Sequence, residues 1–157
     1  MVKDLYKEKD RKWSFKYPSI KEEIEIGEFS VHGQGSALTI ISYGNGFYLS
    51  MQAKDDIEKV LNKKIKIIDL RWLSDMNIEN LLKANGECSK ILIIDECRKN
   101  GCYGEGLVSD ILTATKIPVK IRLHAAENSF IPLGEAANVT LPSKESIIEQ
   151  ALELYNE

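Results

Sequence analysis

Four short apolar runs, Leu38–Tyr43, Ile65–Leu70, Ile91–Asp95 and Val119–Leu123, alternate along the chain with stretches whose apolar residues recur at helical spacing. Few folds accommodate this order. A run of four to eight residues is too short for a helix of the core and suits a buried strand, whereas Leu49, Ala53, Ile57 and Leu61, four residues apart with Lys54, Asp55 and Glu58 between them, mark one face of a helix. The same alternation repeats with Ile78, Leu81 and Leu82 ahead of Gly86, and with Leu107, Ile111, Leu112 and Ala114. Strands that alternate with helices require crossover connections. These are right-handed and lay the strands parallel, so the expected class is α/β: a three-layer α/β/α sandwich around a mostly parallel, mixed, five-stranded sheet.

The runs also differ among themselves. Ile91-Leu92-Ile93-Ile94 is the most continuous and reads as the central strand, covered on both faces. Val119, Ile121 and Leu123 alternate with Lys120, Arg122 and His124, which suits an edge strand guarded by charge. Ahead of them, Ile24-Glu25-Ile26-Gly27-Glu28-Phe29-Ser30-Val31 alternates until Gly27 and then shifts phase, as a strand or two broken by a bulge. Ser143 behind Pro142 is a good N-cap for a last helix with Ile147, Ile148, Ala151, Leu152 and Tyr155 facing inward. Residues 1–23, with the charged run Lys7–Lys12 and the aromatic residues Trp13, Phe15 and Tyr17, read as an arm or linker, and 24–157 as the domain.

Charge and composition narrow the partners. With 21 basic and 24 acidic side chains the formal charge is −3, too weak a field to gather phosphate backbones or an anionic bilayer, so neither nucleic acid nor membrane is expected. The opening residues lack the apolar core of a signal peptide, and a cytoplasmic protein is expected. The three cysteines, Cys88, Cys97 and Cys102, are an odd number, which suits reduced thiols. Neither His32 nor His124 stands at a zinc-ligand spacing from them.

Ligands of an open parallel sheet meet the carboxyl ends of its strands. Four such ends carry polar groups: Gly44-Asn45-Gly46, Asp69 to Trp72, Asp95-Glu96-Cys97-Arg98, and His124 to Asn128. Gly44, Asn45 and Gly46 suit either a helix N-terminus open to an anion or a tight strand-to-helix turn. Asp69, Asp95 and Glu96 either gather a divalent cation or cap helices and pair with Arg71 and Arg98. His124 is either a general base or a solvated or interfacial side chain. No nucleophile elbow and no phosphate-cradling loop with a lysine is present. The residues alone therefore define an α/β domain whose candidate ligand or interface positions are Gly44, Asn45, Gly46, Glu96, His124 and Glu127.

The wording of the motifs carries more. Leu38-Thr39-Ile40-Ile41-Ser42-Tyr43-Gly44-Asn45-Gly46, then Ile67-Ile68-Asp69-Leu70-Arg71-Trp72-Leu73, then Asp95-Glu96-Cys97-Arg98 through Gly101-Cys102-Tyr103-Gly104-Glu105, then Asn128-Ser129-Phe130-Ile131-Pro132-Leu133-Gly134 resemble, in order and spacing, the C-terminal domain of the transketolase superfamily. They are most similar to the beta-type part of the decarboxylating component of 2-oxo acid dehydrogenase complexes, over about residues 24–156. Cys97 and Cys102 depart from the pattern at positions where glycine is usual.

The resemblance implies a domain that binds no cofactor itself. In this family thiamine diphosphate and Mg2+ are held by preceding domains, one with a Gly-Asp-Gly motif that this sequence lacks. It further implies a structural and assembly role in oxidative decarboxylation of a 2-oxo acid with acyl transfer to lipoamide, with no catalysis by the chain alone. The implied partners are the preceding cofactor-binding domains or subunit, a two-fold mate in a homodimer, and the lipoyl acyltransferase. The alternatives are a C-terminal subunit of a transketolase-like enzyme, or a regulatory domain that binds a small metabolite at Gly44-Asn45-Gly46, His124 and Glu127.

Overall fold

The computed structural model describes Ser19 and residues 23–157; Trp13, Phe15 and Tyr17 of the expected arm lie outside the described residues. Five strands, β1 Ser30–His32, β2 Thr39–Ser42, β3 Lys66–Asp69, β4 Lys90–Arg98 and β5 Lys120–Ala126, form one sheet in the order β1-β3-β2-β4-β5. The pairs β3–β2, β2–β4 and β4–β5 are parallel, with Ile40 beside Ile67 and Leu92, and Ile93 beside Leu123. Only β1 runs antiparallel, closing the β3 edge with Val31 opposite Ile68.

Helices α1 Gly44–Leu61, α2 Ile78–Asn85, α3 Tyr103–Ala114 and α4 Lys144–Asn156 cover the sheet, and a 3-10 turn spans Gly134–Val139. Because successive strand residues point to opposite faces, each interior strand feeds two cores. Leu38, Ile40, Ile67, Leu92 and Ile94 face α1 and α4, where Phe47, Leu49, Ala53, Ile57, Ile147, Ala151 and Leu154 meet them. Ile41, Ile68, Ile91 and Ile93 face α2 and α3, where Leu81, Leu107 and Ile111 meet them. The result is the expected α/β/α sandwich with a mixed five-stranded sheet. Two-sided burial is why the strands read as unbroken apolar runs, and each fully buried isoleucine side chain contributes on the order of 2 kcal/mol.

The structure departs from the sequence reading in four places. Residues 24–29 form no strand: Ile26 and Gly27 make a turn, Gly27 has φ +82°, and Ile26 is 71 % exposed. The apolar alternation there reflects no pleat. The middle strand is β2, and β4, buried on both faces at Ile91–Ile94, lies one place toward the β5 edge. Leu112 and Ala114 of α3 are exposed. In α4 the innermost residues are Ile147, Ala151 and Leu154, so the stripe includes a residue beyond those expected, while Leu152 and Tyr155 are only half-buried.

Candidate functional site

The carboxyl ends of β2, β3, β4 and β5 form a crest, and most of its polar groups are committed to holding helices. Strand β2 passes into α1 through a single residue, Tyr43, which is the N-cap, so Gly44-Asn45-Gly46 is the first turn of α1 rather than a loop. Gly44 adopts φ +53°, and a Cβ on Gly46 would lie 2.4 Å from Ser42 Oγ and 3.2 Å from the Ile94 side chain. Ser42 Oγ already donates to the Ile94 carbonyl at 3.0 Å. The absence of a side chain at Gly46 is what lets α1 sit this close to β2 and β4.

Two adjacent carboxylates leave the end of β4 on opposite faces. Asp95, fully buried, accepts the backbone N–H of Cys97 on Oδ1 and that of Gly104 on Oδ2, each at 2.8 Å, and so ties the first turn of α3 to the sheet. Glu96 accepts from the side chain and the backbone N–H of Asn45, in the first turn of α1. Burial pushes the Glu96 carboxyl up, the Asn45 hydrogen bonds oppose the rise, and neighbouring Asp95 adds to it. The N-terminus of α1 thus receives its negative partner from within the fold.

Around Asp95 lie Tyr43, Cys97 and Cys102. The Tyr43 hydroxyl is driven far above its usual range, first by burial and then by its hydrogen bond to Asp95. Burial likewise raises the Cys97 and Cys102 thiols, with Asp95 adding to both. The Tyr43 and Tyr103 rings meet edge-on with centroids 6.0 Å apart, closing this end of the crest. At the end of β3, Asp69 pairs with Arg71 Nε at 3.6 Å, and Arg71 holds the strained φ of +42°. Burial raises the Asp69 carboxyl, against the pull of Arg71.

His124 is neither solvated nor poised over a pocket. It stands beside Ile94 in the register of β5 and faces the α1–α4 layer, where Nε2 lies 2.8 Å from Ser146 Oγ. Ser146 belongs to the capping box of α4: its N–H donates to Ser143 Oγ at 3.0 Å, and its own Oγ accepts the Ser143 N–H at 2.9 Å. Burial lowers the His124 pKa, and Glu127, exposed, opposes it. The Glu127 N–H donates to the Thr140 carbonyl at 2.9 Å.

Of the sequence candidates, then, Asn45 meets Glu96, and His124 lies within electrostatic reach of Glu127. What the sequence reading missed is Tyr43, Asp95 as the hub of a hydrogen-bonded cluster, and Ser146. The first two belonged to a strand-end motif whose roles depend on helix positions, and Ser146 was legible only as the residue three after a helix N-cap. Among the described residues no three His, Cys, Asp or Glu side chains converge as metal ligands. With Asp95 and Glu96 accepting helix N–H groups and Asp69 paired to Arg71, the crest does not fit a magnesium diphosphate unit, and no step of such chemistry is assigned to it. No helix among the described residues is long and apolar enough to cross a membrane.

Beyond β5 the chain changes character. Phe130, Leu133 and Val139 are 94 %, 95 % and 83 % exposed within ten residues, an uncovered apolar stretch on one side of the crest.

A doubly covered sheet whose four parallel strands end in this crest defines an open α/β/α domain. The family model of the transketolase C-terminal domain matches residues 27–147, and the chain belongs to that family. Among curated relatives it is similar to the pyruvate dehydrogenase E1 component subunit beta of Staphylococcus epidermidis, 28 % identical over 136 residues that make up 85 % of this chain and 42 % of the relative. The Staphylococcus aureus subunit is 27 % identical over 146 residues, 87 % of this chain and 45 % of the relative. The chain therefore spans less than half the length of these relatives. A split-gene transketolase, solved as an inactive beta4 tetramer, shares the fold with a TM-score of 0.71 at 17 % identity, over 89 % of this chain and 46 % of that one. The 2-oxoglutarate:ferredoxin oxidoreductase of Magnetococcus marinus shares it with a TM-score of 0.57 at 18 % identity, over 82 % and 20 %.

Proposed function

We propose that this chain is the C-terminal assembly domain of a thiamine-diphosphate-dependent 2-oxo acid dehydrogenase, and that it supports the reaction without catalysing it. The match over residues 27–147 to a family whose relatives include pyruvate dehydrogenase beta subunits supports the enzyme class. In this reading thiamine diphosphate and Mg2+ are held by domains outside the described fold, residues 1–23 form the arm that leads to them, and residues 24–157 form the domain.

The observation that carries the assembly role is the exposure of Phe130, Leu133 and Val139. Apolar side chains clustered in this way mark surfaces that another protein covers. A two-fold mate and the cofactor-binding domains are the proposed neighbours, with the lipoyl acyltransferase as a further partner of the complete enzyme. Gly44, Asn45, Gly46 and Glu96 then serve to hold the crest, and His124 and Glu127 flank the assembly face. A second reading, the C-terminal subunit of a split transketolase-like enzyme, draws on the likeness in fold to a split-gene transketolase.

Light scattering on the purified chain, with thiamine diphosphate and magnesium titrated into the same sample in a calorimeter, tests the proposal. A folded dimer that releases no heat is expected, and F130S/L133S should leave the chain folded but monomeric. Heat of cofactor binding would overturn the assembly reading. Purification with a thiamine-diphosphate-binding chain active on a sugar phosphate rather than on a 2-oxo acid would favour the second reading.

A further inference from the structure

Two of the three cysteines meet at one carboxylate. Cys97 is exposed at the end of β4, where the pairing with β5 is irregular between Asp95 and Arg98. Cys102 is buried and is the N-cap residue of α3. One oxygen of Asp95 holds the Cys97 N–H and the other holds the Gly104 N–H, each at 2.8 Å, so the end of β4 and the start of α3 are anchored on a single group. Both thiols stand near enough to that carboxylate for its charge to favour their protonated form. The turn between them carries Gly101 at φ +81°, which folds the chain back over the crest. Cys88, the third cysteine, lies at the opposite end of β4, buried, with its thiol donating to the Lys90 carbonyl at 3.3 Å.

We propose that Cys97 and Cys102 form a reversible intramolecular disulfide, a thiol-redox modification site on the crest whose oxidant is a low-molecular-weight disulfide. Cys97, the accessible thiol, loses its proton and attacks one sulfur of the small disulfide. A mixed disulfide forms and the first small thiolate leaves, taking up a proton. Cys102 then loses its proton and attacks the Cys97 sulfur, so the protein disulfide forms and the second small thiol departs. Two protein thiols are oxidised by two electrons, one small disulfide is reduced to two thiols, and the released protons end on them. Cys102 stands at the N-terminal end of α3, where the positive end of the helix dipole favours a resolving thiolate. Burial, with Asp95 adding to it, holds both thiols protonated, so the reaction accelerates as pH rises above neutrality. The disulfide adds a covalent tie between β4 and α3 beside the one that Asp95 already makes.

The test is incubation of the purified chain with glutathione disulfide, followed by unfolding, alkylation and mass spectrometry. Alkylatable thiols should fall from three to one, the survivor being Cys88, with a mass loss of about 2 Da that dithiothreitol reverses. In C102S a stable glutathione adduct should remain on Cys97, C97S should show neither adduct nor disulfide, and C88S should behave as the native chain. Circular dichroism establishes that each variant is folded, and alkylation of the native chain is decisive even where one is not. A lasting adduct on Cys97 of the native chain, a disulfide that links two chains, or three thiols still free would overturn the proposal.

Discussion

Asp95 and Glu96, adjacent at the end of β4, accept first-turn N–H groups of two different helices on opposite faces of the sheet: Asp95 from Gly104 of α3, and Glu96 from Asn45 of α1. A strand alternates its side chains, so two consecutive acids at its carboxyl end necessarily serve two layers. Helix N-termini expose unsatisfied N–H groups and a positive dipole end, and one dipeptide satisfies both here.

The two acids should therefore differ in worth. Asp95 is fully buried and each of its oxygens has a backbone partner, so D95N turns an amide N–H toward another N–H and strands one of them. The cost is about 1–3 kcal/mol. E96Q keeps an acceptor at a half-buried position and should cost less than about 1 kcal/mol. Urea unfolding of the two variants beside the native chain gives both values, and equal costs would contradict the assignment of Asp95 as the buried hub.

Gly46 is held without a side chain by contact rather than by dihedral angle. G46A would set a Cβ 2.4 Å from Ser42 Oγ, which cannot move without giving up its bond to the Ile94 carbonyl. Overpacking of this kind destabilises by about 1–3 kcal/mol. G106A, where an added Cβ meets nothing within 4 Å, should be neutral or slightly stabilising, and urea unfolding of the two variants checks both.

These outcomes also mark where the sequence was legible. Alternating runs of isoleucine and leucine announced the sheet because burial on two faces demands continuity, and the Lys120-Ile121-Arg122-Leu123 alternation announced the β5 edge. Gly44-Asn45-Gly46 read either as a tight strand-to-helix turn or as the N-terminus of a helix. Only its approach to Ser42 and Ile94, set by tertiary packing, explains why it opens one. Cys97 and Cys102 read only as reduced thiols because the carboxylate that anchors both their segments, Asp95, is reached by the return of α3 onto the sheet. Ile24 and Ile26 misled because alternation is a signature of strands only where a neighbouring strand exists to pair.

Acid should act through Glu58. Its burial tends to raise the carboxyl, but hydrogen bonds from Lys54 at 2.8 Å, Lys64 at 2.6 Å and the Ile65 N–H at 3.1 Å outweigh that and hold the pKa at about 2, below the ordinary 4.5. An acid whose folded pKa is depressed contributes stability above its unfolded pKa and loses it as pH falls through the folded one. E58Q should therefore cost about 2 kcal/mol at neutral pH, and the gap to the native chain should close between pH 4.5 and 2. Urea midpoints for both chains across that range check it, and a gap independent of pH would show that packing, not charge, is what Glu58 supplies.

His124 should act in a higher window and for the opposite chemical reason. Burial against the α1–α4 layer lowers its pKa below 6.5, with Glu127 opposing, and Arg122, on the same strand face two residues earlier, is engaged with Gln150 and Glu153 of α4. A base whose folded pKa is depressed leaves the unfolded chain binding its proton first as pH falls. Stability is therefore full above 6.5 and declines below it until the folded group also protonates. His32, lowered by its own burial, falls in the same window and must be held constant. H124Q retains a partner for Ser146 and cannot take up a proton, so its melting temperature should fall less than that of the native chain between pH 7.5 and 5.5, while H32Q isolates the other contribution. Equal slopes for H124Q and the native chain would mean that the His124–Ser146 contact tolerates the charged ring, and that the link between β5 and the cap of α4 does not sense pH.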